Sequence, residues 1–192
     1  MDVPETLIDA AAGLFARQGY DATSVSDIVS AAKMTKGALY YYFSAKEDLL
    51  FAIHQRFINS ELQQAREILK STSAPRHRLY RLIVSLVNSV AEYHDEVTVF
   101  FREMHRLPAQ QFDAVHATRD AYQKVFEDTI TWGQKEGVFR ADIEARLITL
   151  SLFGMCNWTY TWMRQDGPLK PQQIGERLAE IFLSGVLQGK SL

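Results

Sequence analysis

The chain has 192 residues, 47% of them apolar and 23% charged, with a formal net charge of −2. That is enough chain to bury a substantial core in one or two domains, and its charge excludes a general affinity for nucleic acid, so any such contact must come from a local patch. A single cysteine, Cys156, excludes an intrachain disulfide and fits a reducing cytoplasm.

The most apolar run, Leu147–Met163, is interrupted by Thr149, Ser151, Asn157, Thr159 and Thr161. It is too short and too polar to span a membrane. No N-terminal targeting pattern is visible, so the expectation is a cytoplasmic protein without a membrane partner.

In chain order, Leu7, Ala11, Leu14 and Phe15 predict an amphipathic helix over 4–18, ended by Gly19. After the connector Tyr20–Thr23, Ser24 is an N-cap with Asp27 as an approximate capping box. Val25, Ile28, Val29 and Ala32 form the apolar stripe of the helix it opens. Ala31–Met34 is a tight connection, and Thr35 caps a second short helix running to about Tyr42. Leu39 and Phe43, four apart, share its inner face. Lys36, Gly37, Tyr40 and Tyr41 are left facing outward. Ser44 with Glu47 forms a second capping box, with Lys46 in the first turn of the helix that follows.

This pattern suits DNA. A short helix enters the major groove N-terminus first, where a long cation reaches base edges while hydroxyls and backbone N–H groups hold phosphates. Gly37 lets the backbone approach the groove floor, and a tyrosine offers a ring edge to a thymine methyl and a hydroxyl to a phosphate. The plainer alternative is a helical hairpin whose tyrosines cover a core. Residues 1–46 hold only Arg17, Lys33, Lys36 and Lys46 as basic groups. So thin a patch makes tight binding depend on two copies acting together.

The stretch resembles the DNA-binding domain of the tetracycline-repressor (TetR) family of bacterial transcription regulators. The matching residues are Phe15 and Gly19 in LFARQGYDATSV, then Ile28, Ala32, Lys36-Gly37, Leu39-Tyr40, Phe43, Lys46 and Leu49. The resemblance implies an all-α fold of about nine helices. A three-helix helix-turn-helix domain (1–46) is followed by a helical ligand-binding and dimerising body (47–192). It also implies that Lys36, Gly37 and Tyr40 read bases, and that Ser24, Ser26, Thr35, Tyr41, Tyr42 and Lys46 hold phosphates. Two departures stand out. The turn position that the family usually fills with glycine is Lys33, which must then take a left-handed conformation at a cost of ~1 kcal/mol. The start, MDVPET, lacks the Lys/Arg arm of many relatives, so no minor-groove contact is expected from it.

A long helix is predicted from Lys46 to about Lys70 on Leu49, Leu50, Ile53, Phe57, Ile58, Leu62 and Ile68. It is either a linker or, as the resemblance implies, a lever that tilts when ligand enters the body. Residues 71–75 are a break, with Pro75 in the first turn of the next helix; Leu79, Leu82, Ile83, Leu86, Val87 and Val90 make its apolar face. Further helices are predicted over 96–106, 110–136 (closed by Gly137), 143–163 (capped by Asp142) and 171–188. The 143–163 helix is apolar on nearly all sides and is therefore expected to be covered on all sides. Paired with 171–188, where Ile174, Leu178, Ile181, Phe182, Gly185 and Val186 fall on one side, it could build a four-helix bundle across a two-fold axis. The resemblance implies that dimer, and Gly154, Ser184 and Gly185 would permit close approach.

Catalysis is not expected. The five histidines form no i, i+4 metal pair, Cys156 lies in an apolar helix without a basic neighbour, and there is no glycine-rich phosphate loop. No cofactor or metal is implied. The run GMCNWTYTWMRQDGP at 154–168 puts Trp158 and Trp162 four apart on one helical face, which spacing alone reads as core or interface tryptophan. Together with FFREMHRL at 100–107 and Arg119-x-x-Tyr122, however, this run resembles the branch of the family that senses acyl-coenzyme A thioesters in lipid or steroid degradation. That implies an apolar tunnel lined by Phe100, Phe101, Met104, Phe126, Phe153, Met155 and Trp158. Trp158 or Trp162 would stack on the adenine, and Arg102, Arg106, Arg119 or Arg164 would meet the phosphates.

The expectation is a repressor that binds a palindromic operator as a homodimer and is released by such an effector. A multidrug-sensing repressor of an efflux pump, using Glu92, Glu96 and Glu103, is the alternative within regulators. A helical ligand-binding or interaction module without DNA binding is the alternative from another class.

Overall fold

The computed structural model describes residues 2–71, 74–164 and 166–187. Its helices are α1 (Val3–Gln18), α2 (Val25–Ala31), α3 (Lys36–Tyr42), α4 (Lys46–Ser71), α5 (Pro75–Glu92), α6 (His94–Glu103), α7 (Ala109–Lys135), α8 (Ala145–Asn157) and α9 (Pro171–Val186). Single 3-10 turns follow α6 (Met104–Arg106) and α8 (Trp158–Thr161). No strand forms among the described residues; one isolated bridge joins Phe139 to Leu187. No helix among them is long and apolar enough to cross a membrane.

Packing divides the chain into two units, Met1–Asn59 with Tyr93–Thr118 and Ser60–Glu92 with Arg119–Leu192. The first is built on α1, which buries Leu7, Ile8, Ala11, Ala12 and Phe15 against α2, α3 and α6. Arg56 of α4 fastens the arrangement: its Nη1 donates to Glu5 Oε2 (2.8 Å) and Asp9 Oδ1 (2.6 Å) of α1, and its Nη2 to Glu96 of α6. Just beyond α6, Arg106 pairs with Glu103 (2.7 Å) and with Asp21 (2.7 Å). In the second unit α5 lies along α9 and also meets α8. Leu79, Leu82, Ile83, Leu86 and Val87 are buried on the first of these helices, and Ala179, Leu183 and Val186 on the second.

Where caps fix the structure, local chemistry rules. Ser24 Oγ accepts from Asp27 N (3.1 Å) while Asp27 Oδ2 accepts from Ser24 N (2.8 Å), a closed capping box. The Ser24 hydroxyl (2.7 Å) and backbone N–H (2.8 Å), both donating to Oδ2, hold the Asp27 carboxyl below its usual range. α2 ends with Met34 N donating to Val29 O (2.8 Å) and Lys33 N to Ser30 O (3.1 Å), the double closure that needs a left-handed residue; Lys33 supplies it, at φ 56°. Lys33→Gly therefore relieves ~1 kcal/mol of steric cost and raises the melting temperature by roughly 2–4 °C. A fall on heating would show that the turn is built differently.

Several boundaries differ from the sequence expectation. The cap before α4 uses Asp48, not Glu47: Asp48 Oδ2 accepts from both Ser44 N (2.9 Å) and Ala45 N (3.1 Å), because it stands one position deeper in the first turn. Asp142 caps nothing. It forms a two-pronged pair with Arg140, which holds its carboxyl down at about 2, and α8 starts at Ala145. α8 also stops at Asn157, not Met163, as the backbone tightens into the 158–161 turn. The 96–106 helix proves to be α6 plus a 3-10 turn, starting at His94. α8 is not covered all round within the chain: Leu147 is 57% exposed, and on α9 Ile181 is 65% exposed. Ile181, two turns after the buried Ile174 and so on its side of α9, lies open within the chain. Residues 72–73 of the 71–75 break and the Gln188 end of the last predicted helix lie outside the described residues.

Candidate nucleic-acid interface and ligand-binding body

α3 is a seven-residue helix held from below by one side chain. Leu39 is fully buried, and Thr35 Oγ1 accepts from Ala38 N (3.2 Å) to start the helix. The rest of its surface is open. Lys36, Gly37 and Tyr40 are exposed, Tyr41 is 80% exposed, and the Tyr41 and Tyr42 rings meet edge to face at 4.8 Å. Gly37 serves no internal packing: an added Cβ would find nothing nearer than Thr35 Oγ1 at 3.8 Å. Gly37 stands in the first turn of α3 with room for a side chain, so a use outside the chain accounts for it better than the fold does.

The predicted phosphate-holding residues divide. Ser26 is exposed, whereas the Ser24 and Thr35 hydroxyls are engaged in the caps of their own helices. Lys46 turns inward. Its ammonium donates to Tyr20 O (2.7 Å) and Thr23 O (2.9 Å) and sits 4.0 Å from the centre of the Tyr20 ring, so it pins the α1–α2 connector to the start of α4. Two of its three protons are thereby taken.

The residues expected around a ligand fall into separate groups. In the first unit, Phe100 is buried between His54 (ring centroids 5.3 Å apart) and Phe57 (5.6 Å), with Phe101 edge-on at 5.5 Å. Arg102 Nη1 reaches Ala16 O at 3.4 Å, Met104 is half-buried, and Arg106 is occupied by Glu103 and Asp21. These arginines reach towards α1 and the connector after it. Burial pushes the His54 imidazole down to about 4, so it is neutral, and its Nδ1 donates to Leu50 O (2.7 Å).

In the second unit, Tyr122, Phe126 and Phe153 form an aromatic cluster: Tyr122 stacks on Phe153 at 5.8 Å, and Phe126 stands edge-on to Phe153 at 4.9 Å. Glu61 of α4 and Ser89 of α5 are buried beside Tyr122, and both hydroxyls hydrogen-bond the Glu61 carboxyl. Ser89 Oγ also donates to Gln64 Oε1 (3.3 Å), so its single proton is shared between the two acceptors. Arg119 is half-buried. Trp158 and Trp162 do not stack, because the tightened backbone at 158–161 separates them. Trp158 is 62% exposed and meets Tyr160 edge-on, while Trp162 lies with Arg164 and Arg177 along an apolar groove of about 370 Å³. Arg164 pairs with Asp166 (3.1 Å). Among the described residues no group of three or more metal-ligating side chains occurs.

Arg56, Glu61 and Ser89 were not singled out in the sequence. A signal for Glu61 existed: it falls four residues after Phe57 and four before Ala65, on the buried stripe of α4 where an acid is out of place.

Comparison with known proteins matches residues 7–53 to the bacterial regulatory proteins of the tetR family, and residues 72–186 to the tetracyclin repressor-like C-terminal domain. The HTH-type transcriptional repressor KstR2 of Mycobacterium tuberculosis is 30% identical over 181 residues, 94% of this chain and 90% of that protein. Its solved structure, a ketosteroid transcriptional regulator, superposes with a TM-score of 0.90 at 28% identity, covering 98% of this chain and 96% of that one. The fatty acid metabolism regulator protein of Bacillus subtilis is 23% identical over 94% of this chain and 93% of its own. AibR, solved in complex with isovaleryl coenzyme A and operator DNA, gives a TM-score of 0.84 at 25% identity, over 94% of this chain and 97% of that one.

Proposed function

We propose, from the premise that this chain belongs to the tetR family of bacterial regulatory proteins, that it is a cytoplasmic repressor released from its operator by an apolar effector carried as a coenzyme A thioester. The observation that carries the DNA half is the face of α3: Lys36, Gly37, Tyr40 and Tyr41 stand in the open although neither packing nor capping needs them there. The exposed Leu147, Leu150 and Ile181 of the second unit support a homodimer through α8 and α9. Two copies of α3 would then read half-sites about one DNA turn (~34–36 Å) apart.

The effector class is supported by the relatives, one a ketosteroid regulator, one a fatty acid regulator and one solved with an acyl-coenzyme A. In this chain the acyl part would enter among Tyr122, Phe126 and Phe153. Trp162, Arg164 and Arg177 offer a stacking surface and cations for the nucleotide end. A ligand that prefers the DNA-incompetent dimer lifts repression by its differential affinity alone. The salt bridges from Arg56 and Arg106 tie α6 to α1 and to the connector before α2, a route by which a shift of α6 would reach the DNA-binding helices. A sensor of cationic drugs has less to work with, since Glu96 and Glu103 are already paired with these arginines.

The test is retardation of DNA from the protein's own upstream region. Wild type binds and is released by octanoyl-coenzyme A but not by ethidium. Lys36→Ala combined with Tyr40→Ala lowers affinity about 100-fold or more, since each base contact is worth ~1–3 kcal/mol. Unchanged affinity and sequence preference in the folded double variant would remove α3 from the interface.

A further inference from the structure

Glu61 has no structural reason to be an acid. It is 3% exposed on the apolar stripe of α4, where leucine would continue the pattern. The Ser89 and Tyr122 hydroxyls hydrogen-bond its carboxyl, yet Oε2 is buried with no partner. The other buried hydroxyls of this unit satisfy themselves locally: Thr129, Thr149 and Thr159 donate to the carbonyls of Val125, Ala145 and Cys156 at 2.8, 2.9 and 2.6 Å. An idle acceptor thus stands beside the aromatic cluster of Tyr122, Phe126 and Phe153. A buried carboxyl with one oxygen unsatisfied lowers stability, and an apolar residue of similar size is commonly neutral or better at such a site.

We infer that Glu61 anchors the effector: its Oε2 accepts a hydroxyl or amide N–H carried on an otherwise apolar ligand, and the same oxygen turns free carboxylates away. This deepens, and rests on, the reading that the second unit takes an apolar effector. The ionisable groups acting on Glu61 are Tyr122 of α7 and Glu92 of α5, with Cys156 of α8 next to Tyr122. Glu92, itself exposed, adds to the cost of a negative charge on Glu61. Burial raises Glu61 to about 7, whereas Tyr122 is pushed well above its ordinary value and Cys156 up to about 12. Of these buried groups only Glu61 changes charge between pH 6 and 8, and its ionised form is the stronger acceptor.

Calorimetric titration of the full-length protein with octan-1-ol, octanoate, octanoyl-coenzyme A, 3-hydroxyoctanoyl-coenzyme A and ethidium tests this. In wild type octan-1-ol binds about ten-fold tighter at pH 8 than at pH 6, following the ionised share of Glu61, and octanoate binds at least ten-fold more weakly than the alcohol. Glu61→Gln, which keeps shape and one acceptor, flattens the pH profile; Glu61→Leu loses about ten-fold at pH 8. A ten-fold preference for the 3-hydroxy thioester puts the donor on the acyl chain. Equal thioester affinities, both weakened in Glu61→Leu, put it on the amides of the coenzyme arm. If the alcohol behaves as stated while neither thioester binds, the anchor stands and the coenzyme reading falls. The inference is overturned if affinity and pH profile are the same in Glu61→Leu as in wild type. It is equally overturned if octanoate matches octan-1-ol, or if ethidium alone loses affinity in Glu61→Gln.

Discussion

Gly133→Ala lowers the unfolding free energy by about 3 kcal/mol, the upper range for overpacking a tight core. α7 ends in a double closure, with Val138 N donating to Gly133 O (2.8 Å) and Gly137 N to Gln134 O (3.1 Å), and Gly137 takes the left-handed conformation at φ 67°. The chain then folds Phe139 back onto Gly133, where an added Cβ would lie 2.1 Å from Cδ2 and 2.3 Å from Cε2 of the ring. Phe139 is itself 1% exposed and has nowhere to go. Thermal denaturation followed by circular dichroism should show a drop of roughly 6–12 °C. Adding Phe139→Leu should recover part of the loss, a coupling expected only of residues in contact. A neutral Gly133→Ala would mean that the ring does not rest on the glycine.

Glu61→Gln stabilises the protein by about 3 kcal/mol at pH 8 and by much less at pH 4.5. Burial holds the Glu61 carboxyl at about 7 against an ordinary 4.5, so between these values the folded state holds a proton that the unfolded state has lost. Wild-type stability from this group is therefore present at low pH and lost as pH rises towards and through 7. His54, two turns earlier on α4, has the opposite sign. Its imidazole is held at about 4 against an ordinary 6.5, so between those values the unfolded state takes up a proton that the folded state refuses. Its contribution is present above 6.5 and lost as pH falls towards 4, again about 3 kcal/mol in all. The two slopes oppose each other over pH 4.5–6.5, so this pair together adds little net slope there. Glu61→Gln unmasks a loss on acidification, and His54→Leu unmasks a gain. Urea unfolding at pH 4.5, 6.5 and 8 reads all three; variants that track wild type at every pH would rule out buried titration of these groups.

What the sequence disclosed was whatever a few neighbouring residues decide. The Ser24–Asp27 box, the Thr35 cap, the left-handed Lys33 and the closing Gly137 each rest on chemistry within six positions, and all four stand as expected. Where two neighbours could do the same job, register decided and sequence did not: Asp48 took the role expected of Glu47. Periodicity also cannot say what covers an apolar stripe, which is why α8 was expected to be enclosed although Leu147 and Leu150 face outward from the chain. The placement of Trp158 and Trp162 followed from a helix end that no glycine or proline marks. The partner of Arg106 was illegible for another reason: it meets Asp21 across 85 residues, a pairing that the packing of α1 on α6 creates.

That packing bears on modularity. The segment carrying α3 shares its compact unit with residues 93–118, far along the chain, so the reader head is assembled from two stretches of sequence. Excised as residues 1–59 it would leave the α6-facing side of α1 bare and strand Arg56 without Glu96. Chimaeras that graft this head onto another sensor should work only when 93–118 travels with it, and recombination at the obvious seam after α3 should yield insoluble proteins.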